Sequence, residues 1–402
     1  MGERALEGIR VIECGEMVSA AYAAKLMADM GADVVKVEEP RGDRARLRGP
    51  YPKGDPDPEK SGLFLYLNTN KRGVTLDLRS QPGREILRGL VRGGSAALLI
   101  HNYEPRLMPE MGLLFEDLHA LNPALVETSI SPFGQTGPHR DYRAHDLNMW
   151  TAGGVIYTSG KGNRPDLPPL KAFGQQAGFE AGVTAATASL GALFHRHLTG
   201  EGQHVDVSVQ ECLVALLENN FVAWPYAQSI ASRLSVRIVP QEVIRCRDGY
   251  IYMLAVEDHQ WRNSVDLMGN PDWAGAEAFQ DLPSRSANWD ALHPLLEEWA
   301  KDKSVREIYH QAQARRVPFA PASTMGTLLA SRHLNARGFF AEIAHPRAGT
   351  LKYPGAPYKF SLTPWELRRG APCLGQHNEE IYAGELGLSA SELAALRTEG
   401  II

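Results

Sequence analysis

Only four cysteines occur in 402 residues, Cys14, Cys212, Cys246 and Cys373, and no two stand at the spacing of a CxxC pair or a Cys/His metal knuckle. That excludes a disulfide framework and gives no reason to expect a metal, so the thiols read as reduced side chains. Long apolar runs are also missing: nothing approaches the roughly 20 residues of a membrane-spanning helix. The N-terminal stretch MGERALEGIRVIECG has no signal-like apolar core, so a cytoplasmic protein with no membrane role is expected. Nor is there a basic excess. With 42 Lys+Arg against 47 Asp+Glu the net charge is −5, which argues against nucleic acid as a partner and confines any phosphate recognition to a local basic pocket. Internal repeats and low-complexity tracts are absent.

What the chain does have is an ordinary globular composition, 44% apolar and 22% charged, over a length that accommodates two domains. Its first half alternates strand and helix patterns. GIRVIEC, ADVVKVEEP, GVTLDL, AALLIHN and ALVETSISPFG read as strands, with AAYAAKLMADMG and SQPGREILRGLVRG as helices between them. Alternation of this kind predicts an open, parallel α/β sheet, whose ligands gather at loops following the C-terminal ends of strands. From residue 171 a stretch KAFGQQAGFEAGV leads into a helix of small residues that ends at Gly200. Between 225 and 330 the texture turns to α+β, with a hairpin through Arg247-Asp248-Gly249 and paired helices after it. The expected organisation is a Rossmann-like large domain begun by residues 1–224, a smaller α+β domain at 225–330, and a segment 331–402 returning to the large domain.

Two local signals fail on their geometry. SGKGNRP around Lys161 lacks the GxxxxGK[ST] spacing of a phosphate loop and reads as a pocket-side flap. His195 and His197 bracket an arginine at a helix end, have no third ligand near them, and suit helix capping better than a metal.

Read in order, LEGIRVIECG, GADVVKVEEPRGD, NTNKRGVTLDL, LLIHNYEP, SISPFGQTGPHRDYRAHDLN, GEGQHVDVSVQE, RDGYIYMLAV, RGFFAEIAHPRAGT and LGQHNEEIYAGELGLS resemble one family across nearly the whole chain. It is the class III coenzyme A transferases, which include formyl-CoA and carnitine CoA-transferases and the related α-methylacyl-CoA racemases. The resemblance implies an interlocked dimer, coenzyme A as substrate with no metal, and exchange of coenzyme A between an acyl-CoA and a carboxylic acid. It also carries positions across. Val18 and Ser19 match backbone contacts to the pantetheine arm, while Asn70, Lys71, Arg72, Asn102 and Tyr103 match coenzyme contacts. Arg143 falls where a cation stands near the phosphates. Arg41, with Arg44, Arg46 and Arg48, reads either as phosphate donors or as a solvated face. One departure is Glu110 in PRLMPEMG, where the family pattern has a basic residue.

Transferases of this family use an aspartate that attacks the thioester to give an aspartyl-acyl anhydride. Coenzyme A thiolate then converts it to an aspartyl-CoA thioester, which the acceptor acid resolves through a second anhydride. Registering GVTAATASLGAL against the family's small-residue helix puts that nucleophile four residues before Gly182, at Gly178. Gln175 and Gln176, just upstream, can donate hydrogen bonds to a thioester or carboxylate oxygen but cannot form an anhydride. Glu180 is the nearest acid in sequence, yet about 200° around a helix from 178 it faces away. His145 and Asp146 match the histidine half of the racemase acid/base pair and the residue beside it. Three readings stay open. The chain is a nucleophile-lacking subunit paired with a catalytic homologue in a heterodimer or heterotetramer, as in two-subunit benzylsuccinate CoA-transferases; or a self-sufficient homodimeric transferase or racemase using Glu180, another acid or His145; or a non-catalytic coenzyme A-binding protein.

Overall fold

The computed structural model describes residues 4–92, 96–160, 162, 165–234 and 239–402. Lys161, in the segment read as a flap, lies outside the described residues. The chain divides into two compact units, one made of Met1–Gly160, Pro169–Ile230 and Gly338–Ile402, the other of Lys161–Pro168 and Ala231–Arg337.

In the first unit, β1 (Arg10–Cys14), α1 (Ser19–Asp29), β2 (Asp33–Glu38), α2 (Gly62–Leu67), β3 (Arg72–Thr75), α3 (Gln81–Val91) and β4 (Leu98–His101) follow one another. The chain continues through α4 (Leu107–Glu110), α5 (Phe115–Leu121), β5 (Val126–Ser131), α6 (Asp146–Ala152), α7 (Gln176–Thr199), β6 (His204–Ser208), α8 (Val209–Ala215) and α9 (Glu218–Ala227). The six strands form one parallel sheet in the order β3-β2-β1-β4-β5-β6. The strands expected from the sequence are all present, and Gly200 ends α7 in the left-handed region at φ +79°, as a glycine allows and a side chain resists.

The second unit holds β7 (Gln241–Cys246), β8 (Gly249–Leu254), α10 (Asp258–Leu267), α11 (Leu282–Ala287), α12 (Trp289–Ala300), α13 (Val305–Ala314), β9 (Ala320–Pro321), α14 (Met325–Leu329) and α15 (Arg332–Ala336). Its three strands are antiparallel, and β7 joins β8 through the Arg247-Asp248 turn that the sequence marks.

The C-terminal segment contains the hairpin β10 (Phe340–His345) and β11 (Gly349–Pro354) and closes with α16 (Ala390–Thr398). Ser389 accepts from Glu392 N while the Glu392 carboxylate accepts from Ser389 N, completing a capping box. Between these elements the segment covers the sheet edge that β3 would otherwise expose. Gly73 N donates to His377 Nδ1 at 3.0 Å, Thr75 N to Asn378 Oδ1 at 2.9 Å, and the Tyr382 hydroxyl to Thr75 O at 2.9 Å. An edge strand so occupied has no free ladder for another chain.

Small residues set the spacing of the helical layer over the sheet. Ala20, Ala21, Ala23 and Ala24 of α1 and Ala181 and Ala185 of α7 are fully buried, and without long side chains between them the two helices come close. The chain entering β6 is fitted as tightly. Gly202 N donates to Pro123 O at 2.8 Å, and a Cβ on Gly202 would overlap the Leu125 carbonyl. Gly202→Ala is therefore expected to lower the unfolding free energy by about 2–4 kcal/mol. Urea denaturation reads this, and an unchanged midpoint would show that the backbone shifts freely there.

Candidate active site

Strand β1 has β2 on one side and β4 on the other, so the chain leaves the sheet in opposite directions from these two neighbours. A crevice opens at the C-terminal ends of such a pair. The loops that line it are Gly15–Val18 after β1 and Asn102-Tyr103 after β4, and Asn102 joins them. Its Oδ1 accepts from Glu16 N at 3.0 Å, and its Nδ2 donates to Glu16 O at 2.8 Å and Ser19 Oγ at 3.0 Å. Gly15 makes room for this bridge, since a Cβ there would sit 2.6 Å from Asn102 Oδ1.

Val18 is the N-cap of α1. It offers no side-chain acceptor, and no acidic residue stands in the first turn. The N-terminus of α1 thus stands at the end of β1 with no acidic residue in its own first turn, and Val18 and Ser19 are buried there. Directly against it lies the first turn of α7. A Cβ on Gly178 would be 3.1 Å from Val18 Cβ, and one on Gly182 would be 2.9 Å from Ser19 O. Residues four apart share a helix face, so Gly178 and Gly182 both look toward α1. Glu180 does not: its charge bears on Cys212 of α8, whose thiol is pushed up by burial and further by Glu180.

A carboxylate from α6 reaches the start of α7. Asp146 Oδ1 accepts from Ala177 N at 2.9 Å and Gly178 N at 3.4 Å, and its Oδ2 pairs with Lys171 Nζ at 2.6 Å. Lys171 also donates to Ala172 O at 2.7 Å and Gly174 O at 2.6 Å, which closes the loop before the helix. Asp146 is thus a helix cap and ion-pair partner. Its replacement by asparagine keeps one acceptor and loses the charge at the dipole and at Lys171. The expected cost is about 1–2 kcal/mol, and an unchanged urea midpoint would contradict this capping role.

The remaining candidates fall into two groups. Arg41 is exposed, as is Arg143, which stands 3.7 Å from Glu104, and His145 is exposed with its amide on Asn148 Oδ1 at 3.0 Å. Gln175 and Gln176 are exposed at the head of α7, and the Gln176 amide donates to Phe173 O at 3.1 Å. Tyr103 is partly buried beside His101, with ring centroids 5.7 Å apart, and burial pushes its phenol well up.

By contrast, Asn70, Lys71 and Arg72 stand where β3 begins, and their polar atoms are engaged within the protein. Asn70 donates to Asp29 Oδ1 at 2.7 Å and Glu366 O at 2.8 Å and accepts from Arg368 N at 2.7 Å. Lys71 Nζ donates to Glu13 at 2.7 Å, Ala21 O at 2.7 Å and Asn68 at 2.9 Å. Arg72 pairs with Asp33, Glu380 and Glu385. Arg46, from the arginine cluster, is buried as well, forked onto Glu38 at 2.7 and 2.8 Å and stacked on Phe64.

Glu59, His345 and Cys373 each bring one ligand atom to within 4.8 Å of the others. Glu59 already accepts from Leu374 N at 3.0 Å and pairs with Arg46 at 3.0 Å. His345 Nδ1 accepts from Arg347 N at 3.2 Å and Ala348 N at 3.1 Å. That fixes the proton of the neutral ring on Nε2, leaving no lone pair there for an ion.

Sequence reasoning overlooked Lys171, Lys36 and Asp43. Lys171 opens the stretch KAFGQQAGFEAGV, where a cation before a helix start is a weak signal. Asp43 sits in PRGD after β2, where the neighbouring arginines drew the reading.

Comparison with known proteins gives one consistent result. A model of CoA-transferase family III matches residues 6–378. Formyl-CoA:oxalate CoA-transferase of Streptomyces coelicolor is 31% identical, with both chains covered in full. Succinyl-CoA:(R)-benzylsuccinate CoA-transferase subunit BbsE of Thauera aromatica is 33% identical over 95% of this chain and 94% of its own. Among solved structures, a CAIB/BAIF family protein from Brucella suis superposes with a TM-score of 0.85 at 29% identity, over 96% of this chain and all of that one.

Proposed function

The chain belongs to CoA-transferase family III, and from that premise we propose that it is the nucleophile-lacking subunit of a transferase. It binds coenzyme A thioesters at the β1/β4 crevice and works beside a homologous chain that carries the aspartate. One observation supports this reading above the others. Position 178, in the first turn of α7 and facing the N-terminus of α1, is a glycine packed against Val18. Where the family's mechanism needs a carboxylate, this chain offers a backbone surface. Asp146 does not replace it, because two amides and Lys171 hold its oxygens at the helix cap.

The thioester side of the reaction remains feasible here. The N-terminus of α1, at Val18 and Ser19, has no acidic residue in its first turn and offers backbone donors to a carbonyl or phosphate oxygen. Asn102 and Tyr103 flank it, and Arg41 and Arg143 are exposed cations for the phosphates.

A second chain has a surface to cover. Val183, Leu190, Phe194 and Leu198 lie along one side of α7 at helical spacing, and Phe194 and Leu198 are about two-thirds exposed. On α9, Phe221, Trp224 and Tyr226 are exposed too. No helix among the described residues is long and apolar enough to cross a membrane. The test is reconstitution. The chain is co-expressed with aspartate-bearing homologues and assayed for coenzyme A exchange; a complex with such a chain supports the reading, and failure with every homologue in the same genome contradicts it.

A further inference from the structure

We infer that Asp43 is a positioning residue for the β1/β4 crevice: by accepting the Met17 amide it holds the loop that presents Val18 and Ser19 to a ligand. This rests on the reading of the crevice as the coenzyme A site.

The Gly15–Val18 loop is held by side chains from three directions. Gly15 O accepts from Lys36 Nζ at 3.1 Å, both polar backbone atoms of Glu16 bond to Asn102, and Met17 N donates to Asp43 Oδ1 at 2.9 Å. Met17 has φ +62°, a left-handed conformation that an L-residue with a long side chain avoids. Such a residue persists only where its surroundings over-determine it. Asp43 provides one anchor and is itself immobilised. Its amide donates to Glu38 Oε2 at 2.9 Å, Oδ1 also accepts from Ala45 N at 2.7 Å, and Oδ2 pairs with Lys36 at 3.0 Å. Lys36 is held in turn by Glu13 at 2.8 Å, and Asp43 and Lys36 are both buried. A rigid path therefore runs from β2 through Asp43 to Met17 and the head of α1. Buried behind the loop, Asp43 acts on a ligand only through the backbone it holds.

Two substitutions separate positioning from general stability. Asp43→Asn keeps an oxygen for the Met17 and Ala45 amides and loses the ion pair with Lys36; Asp43→Ala loses both. Coenzyme A binding to the full chain is measured by calorimetry, thermal unfolding in parallel, and amide exchange over residues 15–19 by mass spectrometry. Asp43→Ala is expected to weaken coenzyme A binding roughly 10- to 100-fold, the loss of one hydrogen bond to a charged group, and to speed exchange at 15–19. Asp43→Asn should melt at a lower temperature yet bind within about threefold of wild type. As a control, Asn122→Ala removes a buried bridge from Asn122 Nδ2 to Val91 O and Ala96 O; it should lower the melting temperature and leave affinity alone. The inference is overturned if folded Asp43→Ala binds like wild type, or if affinity in both Asp43 variants falls in step with melting temperature. Should Asp43→Ala not fold, Asp43→Asn decides: retained affinity at a lowered melting temperature supports the role, and lost affinity contradicts it. A wild-type chain that takes up no coenzyme A removes the site reading, and the positioning role with it.

Discussion

Alone, the purified chain is expected to exchange coenzyme A between an acyl-CoA and a free acid at background rate, and an aspartate-bearing homologue should raise that rate by about 10,000-fold or more. The size follows from the chemistry. A carboxylate is both nucleophile and leaving group in an anhydride, and neither a glycine nor the neighbouring Gln175 and Gln176 can take that part. Residual acceleration by the α1 terminus and by proximity stays small without a covalent route. Installing the carboxylate tests the same claim from the other side. Gly178→Asp brings Cβ to 3.1 Å from Val18 Cβ and 3.2 Å from Cγ1, so Val18 must give by a few tenths of an ångström. Combining it with Val18→Ala makes room, and the double variant is expected to gain exchange activity without a partner. Glu180→Gln and Asp146→Asn should leave the assembled enzyme's chemistry intact, since one faces α8 and the other caps α7. Activity in the isolated chain that vanishes in either variant would move the nucleophile there.

Replacing Glu13 should be the most damaging single change to stability. Its carboxylate sits between Lys36 at 2.8 Å and Lys71 at 2.7 Å, all three with fully buried side chains. Burial would raise the Glu13 carboxyl, but the two ammonium groups hold it below its ordinary value. Glu13→Gln leaves Lys71 without a carboxylate, and breaking a buried pair from one side costs about 3–5 kcal/mol. Lys71→Met should cost less than half of that, because Glu13 keeps Lys36. The two lysines titrate differently. Lys36, which burial alone would lower, is held above its ordinary value by Glu13, Asp43 and Glu38. Lys71 is pulled down from 10.5 to about 8, by burial first and by Lys36, with Glu13 opposing. Between about 8 and 10.5 the unfolded Lys71 therefore holds a proton that the folded one has released, and stability rises with pH through that window. Urea titrations of wild type and Lys71→Met across it should diverge, by at most about 1.4 kcal/mol per pH unit. Parallel curves would mean that Lys71 stays charged in the fold.

Much of the architecture was legible because its signals are local. Strand runs such as GIRVIEC and ALVETSISPFG, the small-residue helix ending at Gly200 and the Arg247-Asp248 turn each carry their own periodicity or stop residue. The candidate site rests on two sequence arguments, that an α/β sheet directs ligands to the loops after its strands and that the register of one helix points to Gly178; the fold sets Gly178 against Val18. What the sequence concealed is which charges are engaged at long range. Lys71 meets Glu13, 58 residues away, and Arg72 meets Glu385, 313 away. Read singly, they look as available to a phosphate as Arg41, which is exposed. Asp146 shows the same limit. The motif AHDLN suggests half of an acid/base pair, while the fold places that carboxylate on the amides of α7, a partnership that depends on how α6 and α7 meet.

The absence of a nucleophile from this chain is tested most directly by the mass of each intact chain during turnover. The assembled enzyme is incubated with an acyl-CoA, quenched in acid and examined for covalent coenzyme A. An aspartyl-CoA adduct is expected on the aspartate-bearing partner and none on this chain, with Gly178→Asp transferring the adduct to it. A coenzyme A adduct on the unaltered chain, carried by Glu180, Asp146 or any other carboxylate, would show that this chain has a nucleophile of its own.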